Sequence, residues 1–513
     1  MRVIGDIPRL NARRQPGKKA LIMGGGSLTF SELNESSNRL AHGLIASGIR
    51  PGDRVALMAQ NCLEFPVIVY AVAKCGAVLV PVNFRYEKKE LLYVMENSSP
   101  RVLFFGPENA ALVEEASADR PQEVRPVAVS GNGISNGDTM RHLMEKGAPG
   151  DPSVSVDPES PAMIMYTSGT TGFPKGVLYS HAAYLAVYVG MSMEGDVRRD
   201  DVTMVALPLF HNGGLNALLQ PTLMMGGSVV IMPKGFDPGS VLAAVERYGV
   251  TLTMWVPTML AMLVNSPDAS AHDLGSLKKI WYGSSPISPA VLKASKELFQ
   301  AGFYQWFGQT ETGMNSILRP EDHEERSHCT GREIFNAELR IVDENGQDVP
   351  RGGVGQIISA QKPLGMIGYL NMEEATRETI RDGWIYTGDL ARVEGDGFFT
   401  IVDRMKDMII SGAENIYPKE VEDVLCDHPD VLEAAVIGIP DDVYGESVLA
   451  VVVPRKDRRP DESGIIAFSA ERLARYKKPR KVVFVEELPK NAAGKVTKNV
   501  LRAPYWEARG KKI

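Results

Sequence analysis

Residues 166–177 read Tyr-Thr-Ser-Gly-Thr-Thr-Gly-Phe-Pro-Lys-Gly-Val, a composition suited to wrapping an anion. Gly169, Gly172 and Gly176 leave backbone N–H groups unscreened and permit left-handed conformations. Successive amides in such a turn form a concave anion site. Thr167, Ser168, Thr170 and Thr171 add hydroxyl donors, and Lys175 adds a point charge. The apolar run Ala162–Met165 precedes the string and Val177–Tyr179 closes it, so a loop between two strands is expected. The spacing Gly-x-x-Gly-x-x-Lys-Gly is not that of a Walker loop, and no Ser or Thr follows the lysine to hold Mg²⁺, which disfavours P-loop NTPase chemistry. A merely flexible turn is the bland alternative, and so many donors gathered around one lysine argue against it.

The string resembles the phosphate-loop signature of the adenylate-forming ligases, the group that contains acyl-CoA synthetases, peptide-synthetase adenylation domains and beetle luciferases. The resemblance extends over essentially the whole chain through further motifs in the family's order. Phe307-Gly308-Gln309-Thr310-Glu311 is similar to the family's aromatic-Gly-x-Thr-Glu element. It implies an adenine face at Phe307, close approach at Gly308, a phosphate contact from Thr310 and a hard oxygen ligand for Mg²⁺ in Glu311, with Thr167 beside it on the metal. Gly283, Ser284 and Ser285 resemble the element lining the adenine pocket, which would also take in Gln309. Tyr386-Thr387-Gly388-Asp389 is similar to the family's Tyr-x-Thr-Gly-Asp, which implies ribose contacts from Asp389 and, with it, Arg404. Lys406 resembles the pivot of the family's mobile C-terminal domain. Pro489-Lys490-Asn491-Ala492-Ala493-Gly494-Lys495 resembles its last signature, whose final lysine enters the active site and binds the nucleotide.

The chemistry so implied is activation of a carboxylate. Oxide is a hopeless leaving group, so the acid attacks the α-phosphorus of ATP to give an acyl adenylate and pyrophosphate. Preorganised amides, Mg²⁺ and lysine stabilise the charge that accumulates, and Lys495 is the residue expected to bridge carboxylate and α-phosphate. A thiol then attacks the mixed anhydride and AMP leaves. The family implies that the small domain turns between the steps, bringing Ser411-Gly412-Ala413-Glu414, and with it Gly412 and Glu414, to coenzyme A.

The acid should lie against Pro208–Asn216, with His211, Asn212 and Gly213 facing it. Amino-acid-activating relatives carry an aspartate where this chain has His211, which counts against an amino acid. No Lys or Arg occurs in 202–222 or 251–265, so a second carboxylate finds no partner in those segments. Trp255, Trp281, Trp306 and Met314 can supply an apolar wall, with core packing an equally good reading of each. The expected substrate is a mostly apolar acid, fatty or alicyclic, with an aryl acid next. Few residues follow Lys495, so a free-standing ligase that uses ATP, Mg²⁺ and coenzyme A is expected. A free-standing acyl-AMP ligase, a luciferase-like oxygenase and a catalytically silent ATP-binding module are the alternatives. The last predicts loss of Glu311 or Lys495, and both are present.

The surrounding elements must position these residues. At 513 residues the chain exceeds one hydrophobic core. A net charge of −7 gives no electrostatic case for nucleic acid. Four separated cysteines without CxxC spacing suggest reduced thiols, and the chain shows neither a signal peptide nor a transmembrane run, so a cytoplasmic enzyme is expected. A homodimer is compatible with the sequence. Short apolar runs alternating with helices predict an α/β layered fold, beginning with a hairpin at Lys19–Phe30 and a helix capped by Ser31. Residues 106–161 read as loops around one or two short elements. From Ala337 a small β-rich subdomain is expected, and after Arg404 a compact α+β module with two helices. The expected division is 1–404, an adenylation domain of two α/β subdomains plus the β-rich one, and 405–513, a mobile domain.

Overall fold

A computed structural model describes residues 1–119, 124–131, 138–167, 174–233, 235–285, 287–411, 414–490 and 496–507. The protein is mixed α/β, with a large N-terminal part and a small C-terminal one. Val78–Pro81, Val102–Phe105 and Ser228–Ile231 are buried at every position. Such unbroken apolar runs mark parallel strands covered on both faces. They enter two large sheets. One runs Arg332–Glu333, Gly313–Leu318, Gly302–Gln309, Lys279–Gly283, Leu252–Trp255, Val202–Val205, Ser228–Ile231, Lys19–Met23, Gly26–Thr29. The other runs Gly368–Tyr369, Lys175–Ser180, Pro161–Thr167, Val78–Pro81, Arg54–Met58, Val102–Phe105, Arg125–Ala128, Asp138–Thr139. Helices such as Glu64–Lys74, buried at all but its first residue, fill the space against them.

The β-rich part is an antiparallel sheet of Leu339–Val342, Val354–Ala360, Trp384–Gly395 and Ile380–Arg381, with Phe398–Arg404 paired to the long third strand. The chain then forms a further sheet from Ile409–Ser411, Glu414–Ile416, Val431–Asp441, Gly445–Pro454 and Lys481–Phe484, whose own apolar cluster includes Ile409, Val421, Val436 and Ile465. No helix among the described residues is long and apolar enough to cross a membrane.

Three local expectations change. The first long helix, Phe30–Ala46, is capped by Thr29 and not by Ser31. Thr29 is extended, its hydroxyl accepts the Glu32 N–H, and the Glu32 carboxylate accepts the Thr29 N–H. That capping box satisfies donors at both ends of the first turn. Residues 106–161 hold more order than expected: the helices Ala110–Asp119 and Met140–Glu145 flank strands that extend the second sheet. A third helix, Lys498–Glu507, joins the C-terminal module. It holds Lys498 beside Glu422 at 2.7 Å and Arg502 against the carbonyl of Lys406 at 3.1 Å.

Two core histidines sit far from the surface. His181 is fully buried and accepts the Ile4 N–H at its Nδ1. His323 donates from Nδ1 to the Arg319 carbonyl at 2.7 Å and faces the Tyr282 hydroxyl at 3.0 Å. Burial pulls both down to about 4 from 6.5. Between those values the unfolded chain binds more protons, so stability is full above pH 6.5 and falls as pH drops toward 4. Urea unfolding at pH 5 and pH 7 should differ by roughly 2 kcal/mol for each histidine. The variant His181→Gln/His323→Gln should lose most of that slope; an unchanged slope would show that other groups set it.

Candidate active site

The predicted anion loop joins two antiparallel strands, with Thr167 directly opposite Lys175. The Thr167 hydroxyl donates to the Lys175 carbonyl at 3.4 Å. Ser168, Gly169, Thr170, Thr171 and Gly172 lie outside the described residues. Lys175 is half-buried, and its Nζ sits 4.7 Å from the ring centroid of Tyr369. The Tyr369 hydroxyl donates to Glu311 Oε1 at 2.9 Å. Thus the lysine of one sheet and the carboxylate of the other meet at one tyrosine.

Glu311 and Thr310 occupy the turn between Gly302–Gln309 and Gly313–Leu318, a turn closed by the Thr312 hydroxyl accepting the Gln309 N–H at 3.1 Å. Gly308 is obligatory there, since a Cβ would stand 2.1 Å from the Gly313 carbonyl oxygen. Gly283 is equally constrained by the Trp306 carbonyl oxygen at 2.3 Å. Ser284 follows, exposed and with a left-handed φ of 69°, and Ser285 beyond it is half-buried. Phe307 is half-buried and meets Phe399 edge to face, with ring centroids 6.0 Å apart.

A second group gathers around Asp389. Its carboxylate, nearly buried, pairs with Arg404 Nε at 3.1 Å and accepts from Gln309 Nε2 at 2.6 Å. Gln309 also donates to the Thr387 carbonyl at 2.9 Å. The register places Asp389 opposite Arg404 on paired strands, which is why residues fifteen positions apart meet. Lys406 follows at once and is exposed, as is Glu414, which pairs with Ser411 in a short hairpin. Gly412 and Lys495 lie outside the described residues.

The region around His211 is built on a π-helix, Gly213–Leu219, a rare geometry that recurs at functional sites. Asn212 and Asn216 stand one turn apart. Asn216 Nδ2 donates to Asn212 Oδ1 at 2.7 Å, and the hydroxyls of Tyr188 and Tyr184 donate to Asn216 and Asn212 at 2.6 and 3.3 Å. Tyr179, Tyr184 and Tyr188 stack in a column, with centroids 4.4 and 5.8 Å apart. Gly213 is half-buried beside them. His211 lies against Phe210, and burial, helped by Arg85, pulls its pKa down to about 4. It is therefore a neutral imidazole at neutral pH. A cleft of about 250 Å³ opens nearby, lined by Asn61, Phe84, Arg85, Pro208, Val256 and Met259 among others.

The expected tryptophan wall is divided. Trp281 and Trp306 face one side of the sheet, with centroids 5.3 Å apart, and half-buried Met314 packs on the same cluster. Trp255 faces the other side, where it is fully buried against Phe299. The period-two alternation of neighbouring strands decides this, because Trp255 shares its register row with Tyr282 while Met254 shares one with Trp281. Sequence reasoning also missed Tyr369 and Arg85. Tyr369 follows Gly368, where a Cβ would crowd the Thr376 side chain at 2.8 Å, but that pair of residues does not by itself point to Lys175 or Glu311. Arg85 carried no signal either, because only the fold brings it toward His211.

The profile of the AMP-binding enzyme family matches residues 9–370, and that of the AMP-binding enzyme C-terminal domain matches 420–495. A feruloyl-CoA synthase of Amycolatopsis is 40% identical over 98% of this chain and 99% of its own. The fatty acid–[acyl-carrier-protein] ligase ScoC of Streptomyces coeruleorubidus is 34% identical over 98% and 96%. Among solved structures, the anthranilate CoA ligase AuaEII in complex with anthranoyl-AMP superposes with a TM-score of 0.92 at 28% identity, covering 99% of this chain and 98% of that one.

The division of the tryptophans has a measurable consequence. Trp255→Ala should lower stability by about 3–5 kcal/mol, as for a large aromatic removed from a core. Relative kcat/KM values across a set of acids should stay within twofold of the parent. A changed acid preference at preserved stability would place Trp255 in the substrate pocket after all.

Proposed function

Because the chain belongs to the adenylate-forming acyl-CoA synthetase family and is an ATP-dependent acyl-CoA ligase, we propose that its acid is a mostly apolar monocarboxylate, fatty or alicyclic, bound beside His211. The observation that carries this reading is the neutral His211 packed against Phe210, one residue before Asn212, which meets the Tyr179–Tyr184–Tyr188 column. A neutral imidazole can donate one hydrogen bond to a carboxylate without an ion pair, and an apolar chain gains roughly 0.8 kcal/mol for each buried CH₂. A second reading, an aryl acid, is favoured by the hydrogen-bonded ladder Tyr184–Asn212–Asn216–Tyr188, which suits a ring bearing an oxygen substituent. The 40% identity to a feruloyl-CoA synthase supports it too.

In the first half-reaction an oxygen of the carboxylate attacks the α-phosphorus and pyrophosphate departs. Lys495 holds the carboxylate and the α-phosphate together. Lys175 and the loop at 168–172 hold the departing phosphates. Asp389, oriented by Arg404 and Gln309, takes the ribose, and the nucleobase lies along Phe307 and residues 283–285. Glu311 and Thr167 offer one carboxylate and one hydroxyl, the sparse set that Mg²⁺ accepts when phosphates complete its shell. When bound, the ion would spread the charge of the phosphoryl oxygens. In the second half-reaction the sulfur of coenzyme A attacks the acyl carbon and AMP leaves with the electron pair. The cleft beside Arg85 and Pro208 is our choice for the thiol's approach. Residues 405–513 turn about Lys406 between the steps and bring Gly412 and Glu414 toward the thiol. We place this enzyme in the cytoplasm, in keeping with its four free cysteines.

Two experiments test this. Lys495→Ala should slow acyl-adenylate formation by about 10²–10³ while thioester formation from supplied acyl-AMP changes far less; equal damage to both would remove the role given to Lys495. A panel of acids compared by CoA-dependent AMP release should rank medium and long monocarboxylates first on the primary reading and hydroxylated cinnamates or benzoates first on the second. If an α-amino acid or a dicarboxylate outran both groups, both readings would be wrong.

A further inference from the structure

Tyr369 stands between two opposite charges that a nucleotide site needs apart. Its hydroxyl donates to Glu311 Oε1 at 2.9 Å, and its ring lies under Lys175 at 4.7 Å. The two charged residues come from different sheets, and the short segment around Tyr369 is hydrogen-bonded to both. The Met366 N–H donates to the Glu311 carbonyl at 2.9 Å. On the other side, the Ile367 N–H reaches the Leu178 carbonyl at 2.7 Å and the Leu370 N–H reaches the Gly176 carbonyl at 2.8 Å. The Tyr369 N–H itself is taken by the Thr376 hydroxyl at 2.9 Å, which fixes the backbone that carries the ring.

We propose that Tyr369 is a positioning residue that keeps Lys175 and Glu311 apart and aimed at one triphosphate, preventing the two from closing on each other as an ion pair. An electron-rich ring face attracts an ammonium without neutralising it. A phenol donates to a carboxylate without taking its charge. Both partners are thereby held in place with their charges available, one for phosphate and one for a hard cation. The proposal rests on the nucleotide-binding reading of Lys175 and Glu311 given above, and is independent of which acid is used.

The test is calorimetry of ATP binding to the full chain, without acid or coenzyme A, across a series of Mg²⁺ concentrations and in excess chelator. Tyr369→Phe keeps the ring and loses the hydroxyl. It should raise the Mg²⁺ concentration needed for half-maximal ATP binding about tenfold, and leave ATP affinity in chelator within twofold. Tyr369→Leu loses both contacts and should weaken ATP binding in chelator by a further factor of about five. Glu311→Gln should raise the Mg²⁺ requirement too, and adding Y369F to E311Q should raise it no further, because the hydroxyl acts through that carboxylate. An unaltered Mg²⁺ requirement in Y369F, additive losses in the double variant, or identical behaviour of Y369F and Y369L overturns the proposal. If E311Q itself leaves the titration unchanged, the reading of Glu311 falls and this proposal with it; an altered E311Q beside an unaltered Y369F overturns this proposal alone. Where Y369L fails to fold, Y369F decides by itself, since it preserves the ring and nearly all the volume.

Discussion

A nearly buried carboxylate is costly unless it is paired and hydrogen-bonded, and Asp389 meets that constraint with partners from two further elements. Gln309 reaches it from the end of the strand Gly302–Gln309 in the nine-stranded sheet, and Arg404 reaches it from the strand that leads to the C-terminal module. One charge therefore ties the largest sheet, the β-rich sheet and the entry to the small module to a common point. Removing any partner would leave the carboxylate short of a donor and loosen all three at once. The turn at 310–312 and the paired strands 384–395 and 398–404 can be understood as the scaffolding that this contact requires.

The same logic of parts drawn from separate elements holds for the phosphate end of the site. On the proposed reading, backbone donors suit phosphates only where the chain bends sharply, a lysine must be anchored on a rigid strand, and a carboxylate that would hold Mg²⁺ must not be neutralised by that lysine. No single supersecondary unit supplies all of these. The protein places the lysine on a hairpin of one sheet and the carboxylate on a hairpin turn of the other, then links them through the edge strand Gly368–Tyr369. Arg502 holds the carbonyl of Lys406, so the exposed segment after Arg404 is anchored to the last described helix.

What could be read from the sequence was whatever depends on short-range sterics. Gly283 and Gly308 sit where backbone approaches backbone, and the hairpin around the anion loop follows from two apolar runs and their glycines. The α/β alternation was equally plain, since fully buried strands leave continuous apolar runs. What was hidden depended on pairing. Which face a tryptophan takes is set by register with the neighbouring strand, so Trp255 could not be separated from Trp281 and Trp306 by spacing. Arg85 reaches the His211 region from over a hundred positions upstream, and the absence of cations from the local segments said nothing about it. The cap is Thr29 because the helix begins at Phe30, two residues before the start that a Ser31 cap implies, and that small shift decides which hydroxyl meets the free N–H groups.

The wide turn after His211 gives the wall we propose for the acid a property that an α-helix lacks. A π-turn carries one residue more than the regular helix needs, and successive residues of an α-helix are rotated by about 100°. Deleting one residue from 213–215 would let this stretch relax toward an ordinary helix and turn the side chains after it by about 100°, taking Asn216 out of its present register with Tyr188. A single-codon change would thus repaint the wall without touching the nucleotide site. In a family whose members are named for such different acids, a spare residue at this place offers a way to alter the proposed acid wall while the paired strands that carry Lys175, Glu311 and Asp389 stay as they are.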